Sequence, residues 1–415
     1  MPPLPDSNPK ASEHTARARV SNQTVLMLTL FPERGNGSAS LISDLVPELE
    51  KLDHRTTTIF VDTDNTETSS STNATLVRDD LLVFQSHPKS KSGTRFVECD
   101  QHSISTLIEE LAETARDIVA SKGVSILHVH HGWIGVIVAK RILDEFGVPY
   151  LVQFHGTEID TLAEFAAATD WKGEIFSQIV EGLRASAKIL CASEAQKTII
   201  DQLFEMIGVE TNAEVLTGGY VTSTFYYRKR DAPRLPDENV CLFAGRLVQE
   251  KGILDLLDAF AAIPDTSGAK LVICGDGVLA PEVNSFCDQM APSVEFRGFV
   301  EDRDALAELY NNAKVVCIPS MNEAFGLVAI EALACGAPLV AYSVGALPGI
   351  FSSYREGEAG LLVEKSDVDA LTIALKQFLD DGEEEEHRML RAARTSELFS
   401  IKRTAVELSR IYKSI

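Results

Sequence analysis

Two carboxylates in one short segment, Glu323 and Glu331, carry the strongest chemical signal in this chain. They flank a Phe-Gly turn and the apolar start of a helix. On a continuous helix their offset would separate them by about 12 Å along the axis, which is too far for two carboxylates acting on one bond. The offset suits two contacts to one elongated ligand, with the N–H groups of the helix N-terminus between them as an anion site. A nucleotide sugar, with polar ends and an anionic middle, fits that description.

Two cations follow the predicted strand Val240–Ala244, which ends in a glycine. Arg246 and Lys251 lie just beyond that strand and before a helix. Fixed positive charges beside a helix N-terminus would stabilise a diphosphate leaving group as its charge develops. The alternative is an arginine and a lysine on an ordinary exposed loop, and the segment alone leaves both interpretations open.

Glycine turns end several other predicted strands. At Gly275 and before Val300 the backbone could approach a ligand closely, although simple tight turns are the alternative. In the first half of the chain, Gly35 and Gly37 follow the predicted strand Val25–Phe31. Their loop lacks the Gly-x-Gly-x-x-Gly spacing with a later acidic residue, which argues against a Rossmann dinucleotide site.

Histidines close two predicted strands of the first half. His155 follows the strand Pro149–Phe154 and precedes a glycine, and His131 follows the strand Ile126–His130. A lone histidine is more often a hydrogen-bonded structural residue than a catalyst. Because ligands bind at strand ends in parallel sheets, both interpretations stay open for His155. For His131 the structural interpretation is favoured.

The composition describes an acidic globular protein of two-domain length. The chain has 415 residues, with 38 basic and 61 acidic side chains and a net charge of −23. This balance argues against a nucleic-acid partner, whereas a local positive patch would still suffice for an anionic substrate. The 7 cysteines are dispersed and show no metal-type spacing, so they predict free thiols in a reducing compartment and hence a cytoplasmic protein.

The sequence gives little indication of a metal-binding site or of a membrane-binding segment. Asp62 and Asp64 match an Asp-x-Asp pair, but chance explains such a short match in a polar loop better, and no His/Cys cluster indicates zinc. We therefore predict neither a metal nor a cofactor. No apolar run is long enough for a transmembrane helix. The basic cluster over 228–230 would support at most peripheral membrane contact, and a solvated linker is favoured.

Short β-rich runs alternate with amphipathic helices along the whole chain, which indicates parallel α/β architecture. Within this pattern we predict a loop over 62–75, short strands over 81–84 and 95–98, and one long helix over about 160–185. The predicted organisation has five parts: a disordered leader over 1–20, an α/β domain over 21–225, a linker over 226–239, a second α/β domain over 240–395, and a C-terminal helix over 396–415. The last helix is a candidate for crossing back to the first domain.

The motifs occur together in one order: Gly245-Arg246-x4-Lys251-Gly252, Gly275-x-Gly277, Gly298-Phe299-Val300, Pro319-Ser320, Glu323-x-Phe325-Gly326 and Glu331-Ala332-x-Ala334-x-Gly336-x-Pro338. This order resembles the retaining glycosyltransferases of family four over about 240–365, and the first half is colinear with them. The resemblance implies the GT-B fold, in which two Rossmann-like domains face each other across a cleft. It implies that the domain over 21–225 binds the acceptor and that the domain over 240–395 binds the nucleotide sugar. It also implies a metal-independent hexosyltransferase that uses a nucleotide diphosphate sugar. Gly218 stands where the family usually has Asn, and Ala346 where it usually has Gly.

The resemblance also implies roles for individual residues. Arg246 and Lys251 would bind the donor diphosphate, Glu331 the ribose hydroxyls, and Glu323 the donor sugar. His155 would contact the transferred sugar near the reacting carbon. The donor site would further include Gly35, Gly37, Gly275, Val300, Ala324, Phe325, Gly326 and Leu327.

The predicted reaction is transfer of a sugar, with retention of configuration, to a hydroxyl of a small-molecule, glycan or lipid-linked acceptor. No carboxylate stands out as a nucleophile, so we expect same-face attack in which the leaving phosphate accepts the proton. An epimerase or phosphorylase on the same fold is one alternative, and a non-catalytic subunit is another. The intact set of Arg246, Lys251, Glu323 and Glu331 argues against the non-catalytic subunit.

Overall fold

In the computed structural model, the chain forms two parallel β-sheets, each packed between helices. The structure describes residues 23–32, 37–62, 73–77, 98–156, 158–210, 213–229, 239–264, 268–381 and 383–415. The statements below concern these residues. Gly35, Asp64, the predicted strand over 81–84 and most of that over 95–98 lie outside them.

The first domain alternates strands and helices. Its strands are β1 (Thr24–Leu28), β2 (Arg55–Asp62), β3 (Ala74–Val77), β4 (Ile126–His130), β5 (Tyr150–Gln153), β6 (Lys188–Cys191) and β7 (Ala213–Val215). Its helices are α1 (Gly37–Glu50), α2 (Gln101–Lys122), α3 (Gly135–Phe146), α4 (Glu158–Ala166), α5 (Trp171–Ala185) and α6 (Glu194–Ile207).

The second domain repeats the pattern. Its strands are β8 (Val240–Ala244), β9 (Lys270–Cys274), β10 (Val294–Gly298), β11 (Val315–Ile318), β12 (Leu339–Tyr342) and β13 (Gly360–Val363). The helices that follow are α7 (Ile253–Ala261), α8 (Ala280–Met290), α9 (Arg303–Asn312), α10 (Leu327–Ala334), α11 (Leu347–Ser352), α12 (Val368–Asp380), α13 (Glu385–Phe399) and α14 (Ile401–Ser414). None of the helices described combines the length and apolarity that a membrane crossing requires.

The two sheets share one strand order. The first runs β3-β2-β1-β4-β5-β6-β7 and the second runs β10-β9-β8-β11-β12-β13, and all the pairings are parallel. The order therefore reverses between β1 and β4 in one sheet and between β8 and β11 in the other. Ligands of open parallel sheets bind beyond the strand carboxyl ends at such a reversal. The prediction of two Rossmann-like α/β domains is confirmed.

The first sheet buries both of its faces. Along β1, Leu26 and Leu28 join the core beneath α2 and α3, whereas Val25 and Met27 point to the opposite face, as the two-residue period of a strand requires. The opposite face is covered by α1 together with the C-terminal helix α14. The last helix of the chain therefore completes the core of the first domain.

Polar contacts fix α14 on that face. Tyr412 carries two of them, since its hydroxyl lies 2.7 Å from Nδ1 of His128 and its carbonyl accepts from Nε2 of Gln23 at 2.7 Å. A third joins Ser409 Oγ to Nε2 of the buried His54, also at 2.7 Å. Each pairs a buried polar group that would otherwise carry a desolvation penalty.

The chain crosses between the domains at two places that lie side by side. Tyr220 N donates to the carbonyl of Phe399 at 3.0 Å, and Ile401 N donates to the carbonyl of Tyr220 at 3.0 Å. Gly219 lies against the returning segment with no room for a side chain, because a Cβ there would be 2.6 Å from Ile401 N. The two crossings thus form one short paired segment between the sheets.

Two predicted elements are wrong. The predicted loop over 62–75 has the wrong bounds, because β2 ends at Asp62 and β3 begins at Ala74, and residues 63–72 of it lie outside the described residues. The predicted helix over 160–185 is two helices, α4 and α5. The break is set by Asp170, whose side chain accepts from Lys172 N at 3.0 Å and so caps α5.

The crossing generates a stability prediction. Gly219→Ala should lower the free energy of unfolding by about 1–3 kcal/mol, because the added methyl group meets backbone atoms that cannot move aside. Urea denaturation of the full chain measures the change. The matched control is Gly349→Ala in α11, where a Cβ meets no atom within 4 Å. We expect the control to be neutral or slightly stabilising. Equal stability of both variants would contradict the crossing contact.

Candidate active site

An ion pair between Lys251 and Glu323 lies where the strand order of the second sheet reverses. The ammonium of Lys251 bonds Glu323 Oε1, and Ser320 Oγ donates to the same oxygen at 2.9 Å. Lys251 ends a single 3-10 turn after β8, and Glu323 lies in the loop after β11, the neighbouring strand. The sheet therefore brings together two residues that are 72 positions apart in the chain.

Close packing of two loops produces this pair. Gly252 has a φ of +65°, and a Cβ there would collide with the carbonyl oxygen of Pro319. In the same contact Met321 N donates to the carbonyl of Glu250 at 2.8 Å. Only glycine combines this backbone conformation with so close an approach. The residue after Lys251 is thus what lets the lysine loop reach the glutamate loop.

Glu323 lies in the loop before helix α10 and Glu331 lies within that helix, so the helix begins between the two glutamates. Gly326 has a φ of +85° and forms the N-cap, and α10 begins at Leu327. The first bond within the helix runs from Ile330 N to the carbonyl of Gly326 at 3.2 Å. Before that bond, the backbone N–H groups at the start of α10 have no partner within the helix and form an anion site beside Glu323.

A backbone hydrogen bond from the segment before α11 also holds the Glu323 loop in place. Ala346 N donates to the carbonyl of Glu323 at 2.8 Å. Since this contact uses only a backbone N–H, it does not depend on the side chain at position 346.

Arg246 lies on the loop between β8 and Lys251 and is half-buried. Burial lowers the pKa of its guanidinium, while the charges of Glu250 and Glu323 oppose that shift. An arginine stays charged under these conditions. Within the part of the chain that the structure describes, its guanidinium makes no hydrogen bond or ion pair, so its charge is available to an anion.

Gly275 supports the Arg246 loop from the neighbouring strand. A Cβ at Gly275 would collide with the carbonyl oxygen of Gly245, and Leu247 N donates to the carbonyl of Asp276 at 2.8 Å. Packing alone therefore accounts for this glycine, and a contact to the donor stays a prediction.

Val300 follows β10, the edge strand of the second sheet. The carbonyl of Gly298 accepts from Gly275 N at 2.8 Å, which continues the pairing past the strand ends. Phe299 is 53% exposed, whereas Val300 packs partly against the core. A planar group could lie on this edge, although no residue here contacts the Lys251–Glu323 pair.

In the first domain, His155 occupies a turn that one buried carboxylate holds. Glu158 accepts from His155 N at 2.7 Å through one oxygen and from Gly156 N at 2.9 Å through the other. Burial opposes ionisation of Glu158, but hydrogen bonding and coulombic attraction from His131 lower the pKa of its carboxyl to about 2. Glu158 is therefore an ionised clamp on the His155 turn. Sequence reasoning missed it, although a Glu three residues after a strand-end His is a recognisable signal.

Imidazole rings pack beside one another behind His155. His130 Nδ1 lies 3.0 Å from His155 Nε2, and the rings of His128 and His130 stack at 4.1 Å. Burial lowers the pKa of His128 and His155 to about 3, and that of His130 well below its usual value. These three rings are therefore neutral at physiological pH. His130 was also missed, because a His-x-His pattern on a strand looks like ordinary alternation.

His131 belongs to the same cluster, since its ring centroid lies 4.5 Å from that of His155. It has a φ of +69°, a rare conformation for a residue with a side chain, which tends to occur at functional sites. Its Nδ1 lies 3.5 Å from Glu158 Oε2, and its Nε2 lies 3.2 Å from Ser38 Oγ at the start of α1. The adjacent Gly37 is exposed and meets nothing that would exclude a Cβ.

The two halves of the site meet at Ala324 and Phe325. A Cβ on Gly156 would lie 2.7 Å from Ala324 Cβ, and a Cβ on Gly218 would lie 2.8 Å from the Phe325 ring. Ser193, the N-cap of α6, donates from its hydroxyl to the carbonyl of Ala324 at 2.8 Å. The His155 turn of the first domain is therefore adjacent to the loop that carries Glu323. Ser193 could not have been identified without the contact itself.

Glu331 lies apart from this contact, inside α10. Burial raises the pKa of its carboxyl to about 8, Arg303 opposes that shift, and Asp44 adds to it. Arg303 Nη2 lies 3.8 Å from Glu331 Oε1. Arg303 and Asp44 come from different domains and belong to no sequence motif, so neither was predicted.

The described residues offer no metal site of the usual kind. No group of three or more His, Cys, Asp or Glu residues among them could hold a metal ion. Asp62 is buried at the end of β2.

The amino-acid sequence is similar to a known family and to individual glycosyltransferases. The sequence profile described as glycosyl transferases group 1 matches residues 228–396. A D-inositol 3-phosphate glycosyltransferase from Rhodococcus opacus is 30% identical over 310 residues, which cover 70% of this chain and 67% of the relative. The N-acetyl-alpha-D-glucosaminyl L-malate synthase of Bacillus anthracis is 27% identical over 293 residues, which cover 67% and 71%.

Solved structures share the fold. Sucrose-phosphate synthase from Thermosynechococcus elongatus superposes with a TM-score of 0.71 at 20% identity, covering 95% of this chain and 99% of that one. Anabaena HepE in complex with UDP-glucose gives a TM-score of 0.64 at 16% identity, covering 95% and 100%. With two facing Rossmann-like sheets and these neighbours, the predicted GT-B fold is confirmed.

The neutral histidines generate a pH prediction. In the unfolded chain each imidazole titrates near 6.5, so below that pH the unfolded state binds protons that the folded state does not. The free energy of unfolding should therefore fall on acidification from about pH 7.5 to about pH 5.5. Below about pH 6.5 the slope approaches about 1.4 kcal/mol per pH unit for each ring that stays neutral.

Urea denaturation across that pH range tests this prediction. His130→Gln should reduce the slope by the contribution of one proton, whereas the control His102→Gln, at an exposed histidine of α2, should not change it. Stability that does not vary over this range would contradict the assignment of neutral buried rings.

Proposed function

The chain belongs to the glycosyl transferases group 1 family, and from this premise we propose that it moves a sugar from a nucleotide diphosphate sugar to an acceptor hydroxyl with retention of configuration. The proposal rests chiefly on one observation, the Lys251–Glu323 pair beside the His155 turn. Lys251 and Glu323 lie on one side of the cleft and the imidazole of His155 lies on the other. This arrangement supports a cation for the leaving group and a carboxylate for the sugar.

Each of these groups has a distinct part in the proposed site. Lys251 and the unpaired guanidinium of Arg246 would meet the diphosphate, whose oxygens compete with Glu323 for the ammonium. Glu323, released from that pair, would accept hydrogen bonds from sugar hydroxyls. The backbone N–H groups at the start of α10 would donate further hydrogen bonds to the diphosphate.

The first domain would contribute neutral groups. His155 Nε2 is held by His130 Nδ1, which leaves Nδ1 of His155 for a ligand. A neutral imidazole can donate or accept a hydrogen bond with the sugar. It does not act as the general acid that protonates the leaving group, because it carries no extra proton. The bond between the anomeric carbon and the phosphate oxygen would break, the acceptor oxygen would bond to the same face, and its proton would pass to the departing phosphate. Developing charge on that phosphate is what Lys251 and Arg246 stabilise.

Related proteins support the class of substrate. One structural neighbour was solved with UDP-glucose, and two sequence relatives are named for an inositol phosphate and a malate. We propose a nucleotide sugar as donor and a small polar molecule or glycan as acceptor, with at most peripheral membrane contact. A cytoplasmic location is part of the proposal and is supported by the 7 cysteines, all of which are free thiols.

The proposed reaction is tested with a panel of UDP-, GDP- and ADP-hexoses and the pure protein. We expect slow hydrolysis of one donor, faster turnover with an acceptor, and a product whose anomeric configuration by proton NMR matches the donor. Turnover should survive EDTA. A requirement for inorganic phosphate would indicate a phosphorylase, conversion of the donor sugar to its epimer would indicate an epimerase, and inversion would contradict the retaining mechanism.

Loss of the lysine should abolish most of the activity. Lys251→Ala should lower turnover by at least about 100-fold, because one preorganised charge contact to the leaving group is removed. Far-UV circular dichroism should show an intact fold. The matched control is Lys376→Ala on α12, a half-exposed lysine in a surface pair with Asp380, which should keep wild-type kinetics. Near-wild-type turnover in Lys251→Ala would contradict the proposed site.

A further inference from the structure

Arg303 stands where the two domains come together beside Glu331. It is the first residue of α9, a position fixed by Asp302, whose side chain caps the helix by accepting from Asp304 N at 2.9 Å. Its guanidinium lies 5.2 Å from the ring centroid of Phe225, a buried residue between the interdomain crossing and the second domain. A cation–π contact with Phe225 therefore supports the guanidinium on one side, and the side chain extends toward the first domain.

The guanidinium makes a two-pronged ion pair across the cleft. Nη1 lies 2.7 Å from Asp44 Oδ1 and Nη2 lies 2.9 Å from Asp44 Oδ2. Asp44 belongs to α1, the helix that begins at Gly37 beside the His131 cluster. Bidentate pairs of this kind fix both distance and orientation, which a lysine could not do.

The same Nη2 faces a second carboxylate. It lies 3.8 Å from Glu331 Oε1, so one nitrogen stands between carboxylates of the two domains. The Glu331 side chain is 7% exposed and that of Asp44 is 12% exposed, whereas Arg303 is 36% exposed. Two poorly solvated carboxylates repel each other unless a cation lies between them. Arg303 supplies that cation and is itself partly exposed.

We propose that Arg303 is a positioning residue for the donor ribose: anchored by Asp44, it orients Glu331 as the acceptor for the ribose hydroxyls. This inference rests on the proposed function, since it assumes a nucleotide donor whose ribose lies at Glu331. Burial raises the pKa of the Glu331 carboxyl to about 8 and Arg303 opposes that rise, so removal of Arg303 would favour the protonated carboxyl further. An ionised acceptor binds hydroxyl donors more strongly than a protonated one.

The test uses UDP, GDP and ADP as probes, with binding measured by calorimetry on the full chain. Whichever nucleotide binds the wild type best is then compared with its 2′,3′-dideoxy form. The variants are Arg303→Met, which keeps most of the apolar stem, and Arg303→Lys, which keeps the charge but not the fork. The control is Arg141→Met on α3, which removes a surface arginine paired with Glu109 at 2.8 Å. Circular dichroism confirms that each variant folds.

A ribose-specific effect is expected. Arg303→Met should raise the dissociation constant of the ordinary nucleotide by at least about tenfold and that of the dideoxy form by less than about twofold. Arg303→Lys should fall between Arg303→Met and the wild type, and Arg141→Met should match the wild type. An equal loss with both nucleotides, or no loss with either, would overturn the positioning role while leaving the donor class intact. A wild type that binds none of the three probes would overturn the proposed function itself.

The anchoring by Asp44 is tested in the same assay. Asp44→Asn should weaken binding of the ordinary nucleotide on its own but add nothing in the Arg303→Met background, because both changes break one chain of contacts. Additive losses would show that Asp44 acts separately and would overturn the bridge.

Discussion

The paired crossing of the chain at Tyr220 and Ser400 is the constraint on which the site depends. Both connections between the domains pass through it, and the backbone bonds from Tyr220 N to Phe399 and from Ile401 N to Tyr220 hold them together. The second crossing leads into α14, whose apolar face completes the core of the first domain. Separating the crossings would therefore cost the first domain part of its core as well as its alignment with the second.

Given that alignment, the matching strand orders decide which residues meet. Each sheet reverses its order between two neighbouring strands, β1 and β4 in the first and β8 and β11 in the second. Ligands of open parallel sheets bind beyond the strand ends at such a reversal. His131 follows β4, Lys251 follows β8 and Glu323 follows β11, and His131 contacts Ser38 in the first turn of α1. Noncovalent contacts then close the cleft at separate points, from Ser193 to Ala324 and from Arg303 to Asp44.

Sequence reasoning reached the parts of the site that are local in the chain. Lys251 and Glu323 each follow a buried strand within a short motif, so strand periodicity and spacing made both of them candidates. For Lys251 the segment alone left an ordinary exposed loop open, and the resemblance to family four implied the roles of both residues. Glu158 left a local signal that was overlooked. The Arg303–Asp44 pair left none, because its partners are 259 residues apart and meet only through the relative position of two domains. Similarly, the edge strand β3 lacks the apolar pattern that reveals the inner strands, since edge strands bury less surface.

Charge is divided unequally between the faces of the cleft. The chain carries a net charge of −23, yet the cations of the site, Arg246, Lys251 and Arg303, all come from the second domain. The facing surface of the first domain offers the imidazole of His155, which burial keeps neutral, and Glu158, whose charge is used within its own turn. On the proposed function, the cations described above that would meet a diphosphate, Arg246 and Lys251, both lie in the second domain. Substitutions in the first domain should then affect which acceptor binds, and where it binds, more than they affect stabilisation of the leaving diphosphate.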